Sequence, residues 1–326
     1  MRAVVCKEYG PPELLTVENL APLKAPPGQV VISVKACGVN FPDSLIIQGK
    51  YQFRPEVPFT PGGEVAGVVK EVGEGVSGVR VGDHVVALAT WGGYAEELVT
   101  AASQLVPMPD GLDFVRASAV LTAYGTTYYG LKDRANLLKG ETLLVLGAAG
   151  GVGLAAIELG KLMGAKVIAA ASSTAKLETC KKHGADAVID YSREDLKDRV
   201  KSLTGGSGAD VVYDPVGGSY TEAALRATAW NGRLLVIGFA AGEIPKIPIN
   251  LTLLKGCSIV GVFWGSFIMR EPDRSRAMHA ELLTWVRDGK LAPNVFAEYP
   301  LERAVDALKD VTERRVQGKV VLTTGA

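Results

Sequence analysis

Reactive and metal-binding side chains are scarce in this chain of 326 residues. It has four cysteines, Cys6, Cys37, Cys180 and Cys257, and three histidines, His84, His183 and His279. The cysteines are scattered, with no Cys-x-x-Cys and no pairing pattern, which argues against a disulfide framework. Neither residue type shows the spacing of metal ligands. His183 falls near a predicted helix end, where it would complement the helix dipole. An excess of one charge is also missing: 35 basic residues balance 35 acidic ones. No net field therefore draws the chain to nucleic acid or an anionic membrane. No apolar run reaches membrane-spanning length without glycine or charge interrupting it. Met1-Arg2-Ala3-Val4-Val5 runs straight into strand-like sequence, with no signal-peptide core, so a cytoplasmic location is the expectation. Repeats and low-complexity segments are absent.

What is present is an ordinary globular composition, 48% hydrophobic and 21% charged, on a length that accommodates two domains. The most informative stretch is Leu143-Leu144-Val145-Leu146-Gly147-Ala148-Ala149-Gly150-Gly151-Val152-Gly153. An apolar run ends in a glycine-rich turn, and a helical pattern (Leu154, Ile157, Leu159, Leu162) follows at once. In that strand–turn–helix context a glycine fingerprint means dinucleotide binding. Around Ala149, Gly150, Gly151 and Val152 the backbone would approach a pyrophosphate at a helix N-terminus. Gly153 would let the helix pack closely on its strand. A loop that merely needs positive φ angles is the plainer reading, but it leaves the strand, the helix and the downstream pattern unexplained.

Apolar segments recur at Lys166–Ala171, Ala187–Ile189, Asp210–Tyr213, Arg233–Gly238 and Ser258–Val262, with helix-like stretches such as Thr174–His183 and Ser192–Leu203 between them. With the strand before Gly147 they make six, which predicts an α/β, Rossmann, doubly wound parallel six-stranded sheet. Residues 1 to about 120 differ in texture. Short alternating segments, such as Val30–Val34, Val65–Val72 and His84–Leu88, are separated by Gly and Pro turns, and Gly318–Leu322 again reads as a strand. The expected organisation is a β-rich, mostly antiparallel, barrel-like domain from both ends of the chain, residues 1–121 and 264–326, with the nucleotide domain at 122–263.

Gly62-Gly63-Glu64-Val65-Ala66-Gly67-Val68-Val69 and Val81-Gly82-Asp83-His84-Val85 resemble the signature of the medium-chain dehydrogenase/reductase family. Gly140-Glu141-x-x-Leu144 with Ala148-Ala149-Gly150-Gly151-x-Gly153 is similar to its quinone oxidoreductase (ζ-crystallin) branch, as are Cys37-Gly38-Val39-Asn40-Phe41 and Phe263-Trp264-Gly265. The branch signature usually has Gln where this chain has Glu158. The resemblance implies a GroES-like β-rich catalytic domain beside the Rossmann domain. It also implies no metal: zinc-dependent members have Cys where Asn40 stands, His at Gly63, and a third ligand near Thr122. Asn, Gly and Thr do not replace a Cys/His/Cys set. Without a Lewis acid, alkoxide stabilisation is lost, while hydride transfer to an electron-poor acceptor remains feasible.

NAD sites usually carry an acidic residue about twenty positions past the glycines. Here that neighbourhood reads Ala169-Ala170-Ala171-Ser172-Ser173-Thr174-Ala175-Lys176, with no carboxylate to repel a 2′-phosphate. NADPH is therefore the expected cofactor, and the resemblance assigns its phosphate to Ser172, Lys176 and Tyr191. A solvated Lys176 and a helix-capping Ser172 are the plainer alternatives. The resemblance further carries cofactor contacts to Asn40, Thr126, Gly238, Phe239, Phe263, Trp264 and Gly265, and a late basic contact to Arg315 or Lys319, with Arg314 reading as surface charge.

Tyr51 stands where enoyl-thioester reductases have a catalytic tyrosine, although quinone reductases have one there too. Asp43 would orient the loop or cap the helix after it. Asn40, Asp43 and Tyr51 are the catalytic candidates. Three functions follow: an NADPH-dependent reductase of quinones or related enones; an enoyl-thioester or alkenal reductase with Tyr51 as acid; and an NADPH-binding structural or regulatory protein with little catalysis. Balanced charge disfavours an RNA partner. Relatives pair the last Rossmann strand across a two-fold axis, so the apolar Ser258–Val262 strand predicts a homodimer.

Overall fold

The computed structural model describes residues 1–325. It divides the chain into two compact units, Met1–Thr122 together with the stretch from Arg276 onward, and Ala123–Ser275.

The first unit begins with an antiparallel pair, Arg2–Val5 (β1) and Thr16–Asn19 (β2). Gln29–Val39 (β3), Glu64–Val72 (β4), His84–Leu88 (β5), Glu97–Ala101 (β6) and Leu105–Pro107 (β7) follow. β3 is the spine: β-branched residues favour a pleated surface, and those at Val30, Val31, Ile32 and Val34 are fully buried. Apolar side chains on both faces are the mark of a central strand covered on both sides. β4 pairs along the length of β3, from Val30↔Val72 to Gly38↔Glu64, and β6 takes the other side of its first half.

The second unit is a parallel sheet of Thr142–Val145 (β8), Lys166–Ala171 (β9), Ala187–Asp190 (β10), Ala209–Asp214 (β11), Thr228–Val236 (β12) and Ser258–Gly261 (β13). Their order, β10-β9-β8-β11-β12-β13, reverses direction at β8. That is the doubly wound dinucleotide order, with its switch point between β8 and β11. Helices Gly151–Leu162, Thr174–Lys182, Leu196–Leu203 and Ser219–Ala227 connect the strands. The fifth of the six expected strands, Arg233–Gly238, begins earlier and ends sooner. Its first residues pair as Ala209↔Thr228, and a register shift, with Asn231 at positive φ, separates them from Val211↔Arg233.

The chain then returns to the first unit, where Val295–Pro300 (β14) and Lys319–Thr323 (β15) complete a seven-stranded sheet. β15 pairs antiparallel with the second half of β3, from Val320↔Val39 to Thr323↔Ala36. One core cluster therefore joins Val4, Ile32, Val65 and Tyr94 to Leu308 and Leu322.

The second boundary corrects the expected one, because residues 264–275 belong to the nucleotide unit. The ring of Phe267 stacks on Tyr129 at 4.4 Å and 13°, and the Arg274 guanidinium lies over the same ring, 5.4 Å from its centroid, while pairing with Asp133 at 2.7 Å. These contacts hold helix Trp264–Arg270 to the segment that precedes β8.

Candidate active site

In a doubly wound sheet ligands bind beyond the carboxyl ends of the strands. Most of the cofactor candidates lie on that edge. The Gly147–Gly150 turn follows β8, and Gly150 is the extended N-cap of helix Gly151–Leu162. The first amides of a helix lack partners within it and carry the positive end of its dipole, so this turn suits an anion. Gly153 is required by packing rather than by φ. A Cβ there would lie 2.5 Å from the Gly147 carbonyl oxygen and 2.6 Å from that of Ala148.

Ser172 follows β9 and Tyr191 follows β10. The register Asp190↔Ala171, with the Tyr191 amide donating to the Ala171 carbonyl at 3.2 Å, sets Ser172 beside Tyr191. Helix Thr174–Lys182 is capped by Ser173, whose hydroxyl accepts from the Lys176 amide at 3.4 Å, so the capping alternative for Ser172 moves one residue along. The neighbouring acid, Asp190, accepts from both the amide (3.1 Å) and the hydroxyl (2.5 Å) of Ser192. Tyr191 also meets Tyr220 at a 4.5 Å centroid distance.

The loop after β11 holds a residue that sequence reasoning missed. Buried Asp214 accepts from the amides of Val216 and Gly217, both at 2.9 Å, and from the Thr221 hydroxyl at 2.6 Å. An acid closing an apolar strand before Pro215-Val216-Gly217-Gly218 was the available signal. A Cβ on Gly217 would come within 3.2 Å of the Phe239 Cα, so this loop packs on the Gly238-Phe239 turn after β12. Phe263, Trp264 and Gly265 follow β13, with Phe263 exposed as the N-cap of its helix. Thr126 lies on helix Leu121–Tyr128. Glu158, the departure from the branch signature, is not an idle helix residue. It accepts from the Tyr124 hydroxyl at 2.9 Å and meets His183 Nδ1 at 2.5 Å. His183 caps its helix as expected of a dipole partner, and its ring is tied to Glu158 as well.

The catalytic candidates sit in the first unit. Asn40 is the N-cap of helix Phe41–Ile46, directly after β3. Asp43 reaches back to accept from the Asn40 amide at 2.8 Å and also accepts from the Tyr94 hydroxyl at 2.9 Å. Burial pushes the Asp43 carboxyl up to about 6, against the lowering effect of those two hydrogen bonds and of Lys319. The helix therefore begins before Asp43 rather than after it: Asn40 is the N-cap, and Asp43, the third residue, closes the capping box. Tyr51 is half-buried beside Phe53, and desolvation, then the charge of Asp43, raises its phenol above the usual range.

Strand register converges three further groups. Glu64 opens β4 opposite Gly38, and Lys319 opens β15 just before the Val320↔Val39 pair. The Asn40 amide nitrogen donates to Glu64 at 3.0 Å and to the Gly38 carbonyl at 3.3 Å, while Asn40 Oδ1 accepts from Lys319 at 2.5 Å. Lys319 Nζ also donates to the Val39 carbonyl at 3.2 Å and to Glu64 at 3.3 Å. The second Glu64 oxygen accepts from the Thr122 amide at 3.0 Å. A Cβ on Gly38 would strike the Ser118 carbonyl, so glycine admits this close approach. Glu64 is fully buried and Lys319 nearly so. Lys319 thus turns to Asn40 inside its own unit, and the other late candidate, Arg315, pairs with Asp310 at 2.7 Å and with Glu313. Sequence reading quoted Glu64 only as part of a motif. An acid at the head of an otherwise apolar strand was the sign that it has a buried partner.

Residues 26–110 match the alcohol dehydrogenase GroES-like domain, and residues 151–283 match the zinc-binding dehydrogenase family. A quinone oxidoreductase-like protein 2 homolog of Nematostella vectensis is 43% identical over 99% of this chain and 89% of its own. The chain belongs to the medium-chain dehydrogenase/reductase family. Among solved members, the Escherichia coli quinone oxidoreductase complexed with NADPH superposes with a TM-score of 0.92 at 30% identity, over 99% of this chain and 100% of that one. A mycobacterial structure complexed with NADPH gives 0.92 at 32%, over 99% and 100%. The protein is accordingly an oxidoreductase of the quinone oxidoreductase-like kind, with a GroES-like domain and a Rossmann domain. Among the described residues no helix is long and apolar enough to cross a membrane.

Proposed function

We propose that this chain is a zinc-independent, NADPH-dependent reductase that delivers hydride to quinones or related conjugated carbonyls in the cytoplasm. The observation that carries the cofactor choice is the register Asp190↔Ala171, which brings Ser172 and Tyr191 out just after the paired ends of β9 and β10, with Lys176 one helical turn on and no carboxylate in the Ala169–Lys176 stretch. Hydroxyls and an ammonium suit a 2′-phosphate, and NADPH complexes of two relatives agree. The residues present fit the cofactor: the Gly147–Gly150 turn offers helix amides to the pyrophosphate, and Asp214 stiffens the loop next to it. When bound, NADPH supplies a hydride, and a proton completes the reduced acceptor.

Zinc independence is supported by what stands at two of the three expected ligand positions. Asn40 and the Thr122 amide are both bonded to Glu64, and a lysine ammonium lies between Asn40 and that carboxylate. A divalent ion there would meet an existing positive charge and a donor set poor in soft ligands.

A second reading keeps Tyr51 as acid in reduction of an enoyl thioester or alkenal, because its phenol is only half-buried and lies in the same unit as Asn40 and Asp43. Absorbance-monitored NADPH oxidation with an ortho-quinone and a short enoyl-CoA in parallel, with NADH as control, separates the two. Turnover on the quinone alone supports the leading reading. Turnover on the enoyl-CoA alone overturns it in favour of the second. In the leading reading, Tyr51→Phe leaves quinone turnover within about tenfold.

The assembly we favour is a homodimer. β13 ends the sheet with β12 as its partner, and Ile259 is partly exposed on it. An open apolar edge strand is a template for a second copy.

A further inference from the structure

We propose that Lys319 is a positioning residue for Asn40, a fixed buried cation that sets which way the Asn40 amide faces. The assignment rests on the reductase reading and deepens it at the same site. An asparagine amide is nearly symmetric in shape, so its orientation is decided by its neighbours' hydrogen-bonding character. Asn40 lies between two groups of opposite demand. Glu64 and the Gly38 carbonyl take protons, at 3.0 and 3.3 Å from the amide nitrogen. The Lys319 ammonium gives them, at 2.5 Å from Oδ1. Rotating the amide by half a turn would face its oxygen to the Glu64 carboxylate and its N–H groups to the ammonium, two repulsive contacts in place of two attractive ones.

Burial makes this choice strong. Glu64 is fully buried and Lys319 5% exposed, so water does not screen the pair. Lys319 is itself held by the Val39 carbonyl at 3.2 Å and by Glu64 at 3.3 Å, leaving its charge no other direction. The consequence runs onward through the chain. The backbone amide of Asn40 donates to Asp43 at 2.8 Å, and Asp43 is held by Tyr94 at 2.9 Å. Lys319 therefore fixes the N-cap of the helix that carries Asp43 and leads on to Tyr51. A lysine assigned instead to the cofactor would act on NADPH affinity.

The test compares wild type, Lys319→Met, and the double variant Lys319→Met/Glu64→Gln, which leaves no unpaired buried charge. Each is assayed for NADPH affinity by nicotinamide fluorescence, for quinone turnover, and for melting temperature. Lys319→Met is expected to lower kcat about tenfold or more while holding the NADPH Kd within about twofold. The double variant is expected to recover most of the melting temperature and little of kcat. Recovery of kcat together with stability overturns the proposal, because Lys319 would then only neutralise Glu64. A weakened NADPH Kd with kcat retained overturns it in favour of a cofactor contact. A wild type that binds NADPH but reduces no quinone sinks the functional reading, and the proposal with it.

Discussion

Replacing Gly153 with alanine should damage the cofactor turn more than the helix that contains it. The added Cβ would sit 2.5 and 2.6 Å from the carbonyl oxygens of Gly147 and Ala148, and 2.7 Å from the Ala148 carbonyl carbon. Carbon contacts settle near about 3.5 Å, so the turn or the helix must yield by roughly 0.8–1.0 Å. All three contacted atoms are backbone, and no side-chain rotation relieves them. Inserting one methyl into a packed site costs about 1–3 kcal/mol, offset by about 1 kcal/mol of gained helix propensity. Net stability should therefore fall only modestly. Relief at the turn, however, moves the amides that would meet the pyrophosphate. If the full strain is taken from binding, 1–3 kcal/mol corresponds to about a 5- to 150-fold rise in the NADPH Kd. Fluorescence titration with NADPH, run beside calorimetry, measures both effects. An unchanged Kd with a lowered melting temperature would refute the reasoning, since the strain would then be absorbed away from the turn.

Other consequences are equally open to measurement. Ser172→Asp with Lys176→Ala should weaken NADPH by at least about tenfold, through repulsion and a lost charge-assisted bond, and leave NADH affinity unchanged; equal affinities for both cofactors in wild type and variant would reject the phosphate site. Asp43 has its carboxyl raised to about 6, so the native state holds a proton there that the unfolded chain releases near 4. Its contribution to stability is greatest below the unfolded value and declines by about 2–3 kcal/mol as pH rises from 4 to 6. Asp43→Asn should remove that part of the pH profile, and identical melting curves for both proteins across this window would refute it. Ile259→Lys on β13 should convert a dimer to a monomer in gel filtration; a wild type already monomeric at micromolar concentration sinks the edge-pairing proposal.

The nucleotide unit was legible wherever a strand's own residues dictate its burial. Lys166–Ala171 was read to the residue, because an unbroken apolar run bounded by charge and serines has one reading. β12 was misjudged at its start, since Trp230, Asn231 and Gly232 look like a turn and are carried in the sheet by a bulge that β11 accommodates. Ser172 and Ser173 are adjacent and chemically identical, so only backbone conformation decides which one caps the helix. The Glu64–Lys319 pair was beyond local reading. Its partners lie 255 residues apart, and neither has a neighbour in sequence that explains a buried charge. The domain boundary moved for the same reason, through the stacking of Phe267 on Tyr129.

β3 draws its neighbours from opposite ends of the chain: β4 and β6 early, β15 at residue 319 and beyond. A ribosome making this protein therefore displays a half-built first unit for most of the synthesis. The second half of β3 keeps an open flank until β15 emerges. The intervening Rossmann unit has all six of its strands before that moment, so it is free to fold first. The 279-residue gap between Asn40 and Lys319 makes their contact among the last to form. A chain cut short before β15 would thus hold all six strands of the nucleotide unit while lacking Lys319 and the strand that closes the second half of β3.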